Sequence, residues 1–223
     1  MELVARGIVQ PPEVETHQYQ PRERLGGKTA ERLKGLHVYI CDGAIALRVA
    51  AGRSPSVLLE VFGPGRLLPP SLWETKSGPG MEGRYATALA PTTTWELPPD
   101  VFERQVAQYP PLAASLASLN ACGCAMSLDR LAMLALRDPL RRVAHTLLLL
   151  LDRLTAPGAM PGARLDASQD LIAAFAGLSR QTTNRQLRRL ARAGVTASQR
   201  RAVDVRDLAG LRGVAAGRRL LGR

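Results

Sequence analysis

The residues with the most specific chemistry lie in one run, Ser168 to Gly194, SQDLIAAFAGLSRQTTNRQLRRLARAG. Read as a helix, its second half turns Thr183, Leu187 and Leu190 inward and leaves Arg180, Gln181, Asn184, Arg185 and Arg188 on the outer face, at spacings of three, four and seven. An arginine forks onto the O6 and N7 acceptors of guanine, and an asparagine or glutamine pairs with N6 and N7 of adenine. Each good bidentate contact gives about 1–3 kcal/mol of discrimination. Two such arginines and two amides on one face can specify a short base sequence. The plain alternative is a solvated arginine-rich face, so the weight falls on what holds the helix.

Upstream, Leu171, Ile172, Phe175 and Leu178 form one apolar stripe of a short helix, and Ala173 and Gly177 keep its back small. Gly177 falls where a chain leaving one helix for another needs a left-handed or close-packed residue, and Ser179 then caps the second helix. This is a helix-turn-helix pattern. The run Gly177-Leu178-Ser179-Arg180-Gln181-Thr182-Thr183-Asn184-Arg185 resembles the G-x-S-R-E-T-V-x-R recognition-helix signature of the Crp/Fnr family of bacterial transcription regulators. That resemblance implies a homodimer on a near-palindromic double-stranded DNA site, with half-sites about one helical turn, roughly 34 Å, apart. It makes Arg180 and Arg185 readers of one guanine each, and RNA polymerase a further partner. Gln181 departs from the acidic residue common in the family, so the half-site is expected to differ at one base. Downstream, Val195-Thr196-Ala197 and Ala202-Val203-Asp204-Val205 read as a hairpin around Ser198 to Arg201, the wing of a winged helix, with Arg200 and Arg201 placed to meet phosphates. The candidate DNA contacts are therefore Gln169, Ser179, Arg180, Gln181, Thr182, Asn184, Arg185, Arg188, Arg200 and Arg201. Asp207-Leu208-Ala209-Gly210-Leu211 resembles the family's closing D-x-x-G-L.

Charge supports the same region. Residues 1–135 carry 13 basic and 13 acidic side chains, whereas residues 136–223 carry 17 Arg against 6 Asp, the whole excess of +11. Such concentration is the footprint of phosphate contact. A membrane surface is also anionic, but no segment approaches the roughly 18 or more consecutive apolar residues that span a bilayer. The N-terminus lacks a basic start followed by an apolar run, so no secretion signal is read. Three cysteines argue against a secreted disulfide scaffold. A cytoplasmic protein is expected.

Residues 1 to about 34 read as a tail or an irregular first strand. Gly27-Lys28-Thr29 fails as a phosphate loop, because the motif needs a glycine where Arg22 stands. From Leu36 the pattern alternates: LHVYI, a CDG turn read as a hairpin at Asp42-Gly43, AIALRVA and SVLLEVF, with two more strands over Arg84–Ala90 and Thr93–Leu97. A short helix over Val101–Gln108 follows. The expected fold is α+β: an antiparallel β-roll over residues 1–110, a long helix over 111–137 and a winged helix-turn-helix over 138–223. In the resemblance the roll is cyclic-nucleotide-binding-like, which makes Arg84, Tyr85 and Ser127 the candidate effector contacts. The family's Pro-Gly-Asp-x-Phe-Gly-Glu and Arg-Ser-Ala runs stand here as Pro64-Gly65-Arg66-Leu67-Leu68-Pro69-Pro70 and Arg84-Tyr85-Ala86. Prolines supply no amide donors, and Tyr85 replaces a small hydroxyl. No cofactor is expected.

Pro111 to Leu136 reads as a helix with two apolar stripes, one through Leu112, Leu116, Leu119, Gly123, Met126 and Met133, the other through Leu116, Asn120, Cys124, Ser127, Leu131 and Leu134. Two stripes need two partners. The roll is one; the same helix of a second subunit is the other, with Leu116, Asn120, Cys124, Ser127, Leu131 and Leu134 at the seam and Asn120 setting register. The alternative is burial in a monomeric core. Cys122 and Cys124 point to different sides of this helix, and Cys124 could meet its symmetry mate. Asp138 and Pro139 cap and start the next helix, the domain hinge in the resemblance; its five-leucine run is core packing. His17, His37 and His145 lie far apart in sequence, without ligand-like spacing, so metal binding has little support. No nucleophile elbow or acid–base constellation appears, so an enzyme is not expected. The reading is a sequence-specific, dimeric DNA-binding regulator acting without cyclic nucleotide. The alternatives are gating by a small effector or by Cys122 and Cys124, and general nucleic-acid packaging.

Overall fold

Strands that bury alternate residues build two antiparallel sheets in the N-terminal half. In the computed structural model, which describes residues 14–25, 31–51, 54–74, 82–155, 164–199 and 201–218, these are β1 (Glu15–Tyr19), β2 (His37–Asp42), β3 (Ile45–Ala51), β4 (Ser54–Phe62), β5 (Leu67–Leu68), β6 (Glu82–Ala88) and β7 (Thr92–Leu97). One sheet runs β1-β7-β2-β5 and the other β4-β3-β6. Val38, Ile40, Ile45, Leu47, Leu68 and Trp73 belong to the core of this half. The Gly27-Lys28-Thr29 run, the linker over residues 156–162 and Arg200 lie outside the described residues.

The hairpin expected at Asp42-Gly43 does not form. β2 pairs with β7 and β5, whereas β3 pairs with β4 and β6, so the chain changes sheets at this turn. Gly43 makes the change with φ +86°, and a Cβ there would stand 2.3 Å from the Pro91 carbonyl oxygen. Buried Thr92 closes the corner: its hydroxyl donates to Ala44 O and accepts from Ala44 N, both at 3.1 Å.

β7 turns Thr92, Thr94 and Glu96 inward, so polar groups share this core. Glu96 is compensated: the Tyr19 hydroxyl donates to its Oε1 at 2.7 Å, and the Arg32 guanidinium bonds both carboxylate oxygens. Leaving such a carboxylate unpaired would be strongly destabilising. The pairing also explains β1, whose polar residues gave little strand signal; it is held through all five residues to β7.

After β7, α1 having formed one turn at Ser71–Glu74, come α2 (Pro99–Gln108) and α3 (Pro110–Leu134). None of the described side chains of α3 from Pro110 to Ala132 is buried, and Leu128 and Leu131 are 65% and 62% exposed. By length and composition α3 could cross a membrane. The sequence expectation of no such segment counted consecutive apolar residues and is corrected here: Ser115 and Ser118 interrupt the count, yet their hydroxyls donate back to Pro111 O and Ala114 O at 3.1 Å.

Contacts divide the chain into two units, the first ending at Cys124 and the second taking in Ala125–Thr155 and the C-terminal domain. In the second, α4 (Pro139–Leu154) starts on an Asp138 cap that accepts from Leu140 N at 2.9 Å. Its buried stripe of Leu140, Val143, Ala144, Leu147, Leu150 and Leu151 is the expected core packing. Met133 is buried with its sulfur 3.6 Å from the Thr146 hydroxyl. Two guanidinium groups stand over the Phe175 ring, Arg130 at 4.5 Å and the buried Arg153 at 5.1 Å. Arg153 also donates to Met126 O at 2.7 Å, which joins α4 to the last turns of α3.

Two histidines make this fold sensitive to acid. His37 stacks on Phe102 at 3.8 Å; burial lowers its proton affinity, with Glu103 opposing. Burial also lowers that of His145, against a bond to Ala215. Their unfolded value is 6.5, so the unfolded chain takes up protons first as pH falls. The stability that these two neutral imidazoles contribute is fully present above about pH 6.5 and falls progressively below it. Thermal melts should give a lower Tm at pH 5.5 than at 7.5, and His37→Gln should reduce that difference; a flat profile would count against it.

Candidate nucleic-acid interface

The C-terminal unit presents one exposed row of side chains because the opposite row is locked inward. α5 (Gln169–Ala176) is capped by Ser168, whose Oγ accepts from Leu171 N at 3.1 Å, and it buries Leu171, Ile172, Ala173, Phe175 and Ala176. It ends at Gly177, left-handed at φ +60°, with Leu178 N bonded to Ala173 O and Gly177 N to Ala174 O. This paired closure satisfies the final carbonyls and turns the chain sharply. Ser179 caps α6 (Arg180–Arg192) by accepting from Thr182 N at 3.1 Å.

α6 buries Thr183, Gln186, Leu187 and Leu190. Gln186 was not expected inside; its amide oxygen accepts from Arg189 at 3.1 Å, which makes the burial tolerable. On the opposite side Ser179, Arg180, Gln181, Arg185 and Arg188 are exposed, and Thr182 and Asn184 are half-buried. The Asn184 amide oxygen is buried without a hydrogen-bond partner, whereas Gln181 is exposed. Gln169, half-buried, starts α5. Arg180 is not free: its Nε lies 3.2 Å from the Asp170 carboxylate, a pairing that spacing within one helix could not reveal.

The wing follows. β8 (Arg164–Leu165), β10 (Val203–Val205) and β9 (Thr196–Ser198) form a small sheet in that order. Gln199 N bonds Ala202 O at 2.8 Å across the tip, where Arg201 is exposed. A cavity of about 440 Å³ beside it is lined by Arg164, Asp166, Gln199, Arg201 and Ala202. Arg164 adds a cation here that the sequence reading missed, since β8 meets the wing only through sheet pairing. α7 (Leu208–Ala215) closes the domain on an Asp207 cap that accepts from Gly210 N at 2.7 Å.

The other candidate residues fall in separate places. Arg84 and Tyr85 are half-buried neighbours on β6, and the Arg24 guanidinium covers the Tyr85 ring at 4.1 Å. In the loop expected to cradle phosphate, Gly65 N donates to Ile40 O, and the carbonyls of Pro69 and Pro70 accept from Leu72 N and Trp73 N of α1. Cys124, Ser127 and Leu131 are exposed on α3, Leu116 and Leu134 are half-buried, and Asn120 lies on the same helix. Leu134 packs within its own chain, its Cδ2 3.1 Å from where a Cβ on Gly177 would stand.

An α+β chain with a winged helix-turn-helix at its C-terminal end has the form of a DNA-binding regulator. Residues 141–214 match the family model for the Crp-like helix-turn-helix domain. The chain has the fold of the CRP/FNR transcription regulators, with that domain as its DNA-binding part. A CooA mutant from Carboxydothermus hydrogenoformans is 17% identical, with TM-score 0.71 over 96% of this chain and 94% of that one. FixK2 from Bradyrhizobium japonicum is 19% identical, with TM-score 0.70 over 90% and 96%. TTHA1359, a CRP/FNR-family transcriptional regulator from Thermus thermophilus, is 21% identical, with TM-score 0.66 over 92% and 100%. A sequence comparison with curated proteins found no match.

Gly177 is the test of the turn. An alanine there must hold a left-handed backbone, at a cost of about 1–2 kcal/mol, and must also displace Leu134. Gly177→Ala should lower the stability of the C-terminal domain by at least that amount in urea unfolding, while Gly123→Ala, with open space around it, should not.

Proposed function

We propose that the protein is a sequence-specific transcriptional regulator that binds a near-palindromic DNA site as a homodimer, without cyclic nucleotide. The observation that carries this is the exposed row of Arg180, Gln181, Arg185 and Arg188 on a helix whose opposite row is buried. Arg180 and Arg185 read guanines, Gln181 and Asn184 reach adjoining bases, and Gln169, Ser179, Thr182, Arg188, Arg200 and Arg201 meet the backbone. The net +11 of residues 136–223 supplies the sequence-independent part of the affinity. The protein acts by binding rather than by catalysis, works where DNA is, in the cytoplasm, and addresses RNA polymerase from its promoter site.

Homodimerisation is supported by α3, an apolar helix whose described side chains stay uncovered from Pro110 to Ala132. A membrane-spanning role fits poorly with its last turns, where Met133 is buried in the C-terminal unit and Arg130 covers Phe175. The domain division follows: a β-roll to residue 110, a dimerisation helix over 111–137 and a reading domain from 138. Independence from cyclic nucleotide is supported by the Pro64–Pro70 run, where Gly65 N is spent on Ile40 O and Pro69 and Pro70 have no N–H to offer.

Two experiments test the reading. Arg185→Ala should weaken binding to a site selected from random duplexes about tenfold or more and change binding to scrambled DNA little. Arg201→Ala should weaken both alike and flatten the salt dependence; equal losses on both duplexes for Arg185→Ala would remove the base-reading assignment. Leu131→Glu should give a monomer in sedimentation and, with one half-site per molecule, a loss of operator binding. A dimer that survives this substitution would place the seam elsewhere.

A further inference from the structure

We propose that Asp170 is a specificity-determining residue: its carboxylate buttresses Arg180 from the side and fixes which edge of the guanidinium meets a guanine. The inference rests on the reading of Arg180 as a base-contacting residue. The Asp170 Oδ1 lies 3.2 Å from Arg180 Nε. A guanidinium is a planar fork of five N–H donors in fixed geometry. A carboxylate beside Nε takes up one flank and leaves the terminal pair of nitrogens, the edge that forks onto O6 and N7, available to a base. The two side chains come from different helices, so the pair also ties the aim of the first residue of α6 to α5. Asp170 sits in the first turn of α5, beside the Ser168 cap that fixes that turn, so the buttress has a firm base.

Two further features favour a role in reading over a role in stability. Side chains 66% and 68% exposed gain little from pairing in water, whereas closing DNA over them removes that water and strengthens the attraction. A carboxylate beside the DNA-contacting row also repels phosphates, so it lowers general affinity. In a region with 17 Arg and only 6 Asp, an acid at this position trades affinity for discrimination.

The test is a double-mutant cycle on the full-length protein with D170N, R180A and both together. Binding is measured by fluorescence anisotropy to a duplex selected by the wild type, to versions with each guanine replaced in turn, and to a scrambled duplex. D170N should bind the selected duplex about three- to tenfold more weakly, bind the scrambled duplex equally or more tightly, and lose preference for the guanine that R180A also ceases to read. In the R180A background D170N should have no further effect on the selected duplex, and Asp170→Glu should restore part of the preference. The proposal is overturned if D170N keeps its specific affinity while R180A loses the guanine, in which case Arg180 reads alone. If R180A itself keeps every guanine preference, the base-reading role of Arg180 fails and the buttress falls with it. Melting temperatures close to wild type for D170N separate these outcomes from loss of fold.

Discussion

The geometry of the reading head depends on three residues between two helices. Gly177 takes a left-handed backbone that an L side chain would resist, its neighbour Leu178 closes the end of α5, and Ser179 opens α6. Once this angle is set, helical periodicity does the rest: Leu187 and Leu190 meet the core with Gln186, which is bonded to Arg189, and Thr183, whose buried hydroxyl has no hydrogen-bond partner, and the row on the other side faces outward. Arg130 and Arg153 hold the same corner from behind by covering Phe175, the largest apolar side chain of α5. Cation–π contacts of this kind strengthen when desolvated. Arginine thus occurs in this domain in two settings, inside as packing at Arg153 and outside in the exposed row of Arg180, Arg185 and Arg188.

Charge and apolar surface divide the remaining labour. The first 135 residues are electrically balanced and close two sheets around a core that includes Tyr19, Ile40 and Trp73, so they carry no general attraction for nucleic acid. All the excess charge lies beyond them. α3 ends this balanced part of the chain, and none of its described side chains up to Ala132 is buried. A helix of apolar composition is costly to leave uncovered, at about 25 cal/mol per Å² of apolar surface, and this cost is the ground for proposing a second copy of the chain as its cover.

Much of the reading domain was legible in the sequence because its signals are local. Gly177, Ser179 and Asp138 act within a few residues of themselves, and the inward spacing of Thr183, Leu187 and Leu190 follows from helical pitch. What escaped depends on pairing across distance. Asp42-Gly43 announces a turn but not which strand receives the next segment, and here that strand lies in the other sheet. The choice between a tail and an irregular first strand stays open in the sequence because β1 alternates Glu15, Thr16, His17 and Gln18 with no apolar face; its partners on β7 make it a strand. The burial of Gln186 and the pairing of Asp170 with Arg180 likewise follow from neighbours on other elements.

The contacts of Met126, Arg130 and Met133 bear on how such a protein can be divided and recombined. The chain is most easily cut, on paper, at Pro139, where a helix begins. Yet Phe175, Thr146 and Arg153 have their partners before that point, on the last turns of α3. A domain transplanted from Pro139 onward would keep Arg153 over the Phe175 ring but lose Arg130 from it, and Arg153 would be short of the Met126 carbonyl. The compact C-terminal unit begins near Ala125, so an exchange of N-terminal units that keeps this one's packing whole must be cut inside the long helix and preserve its phase.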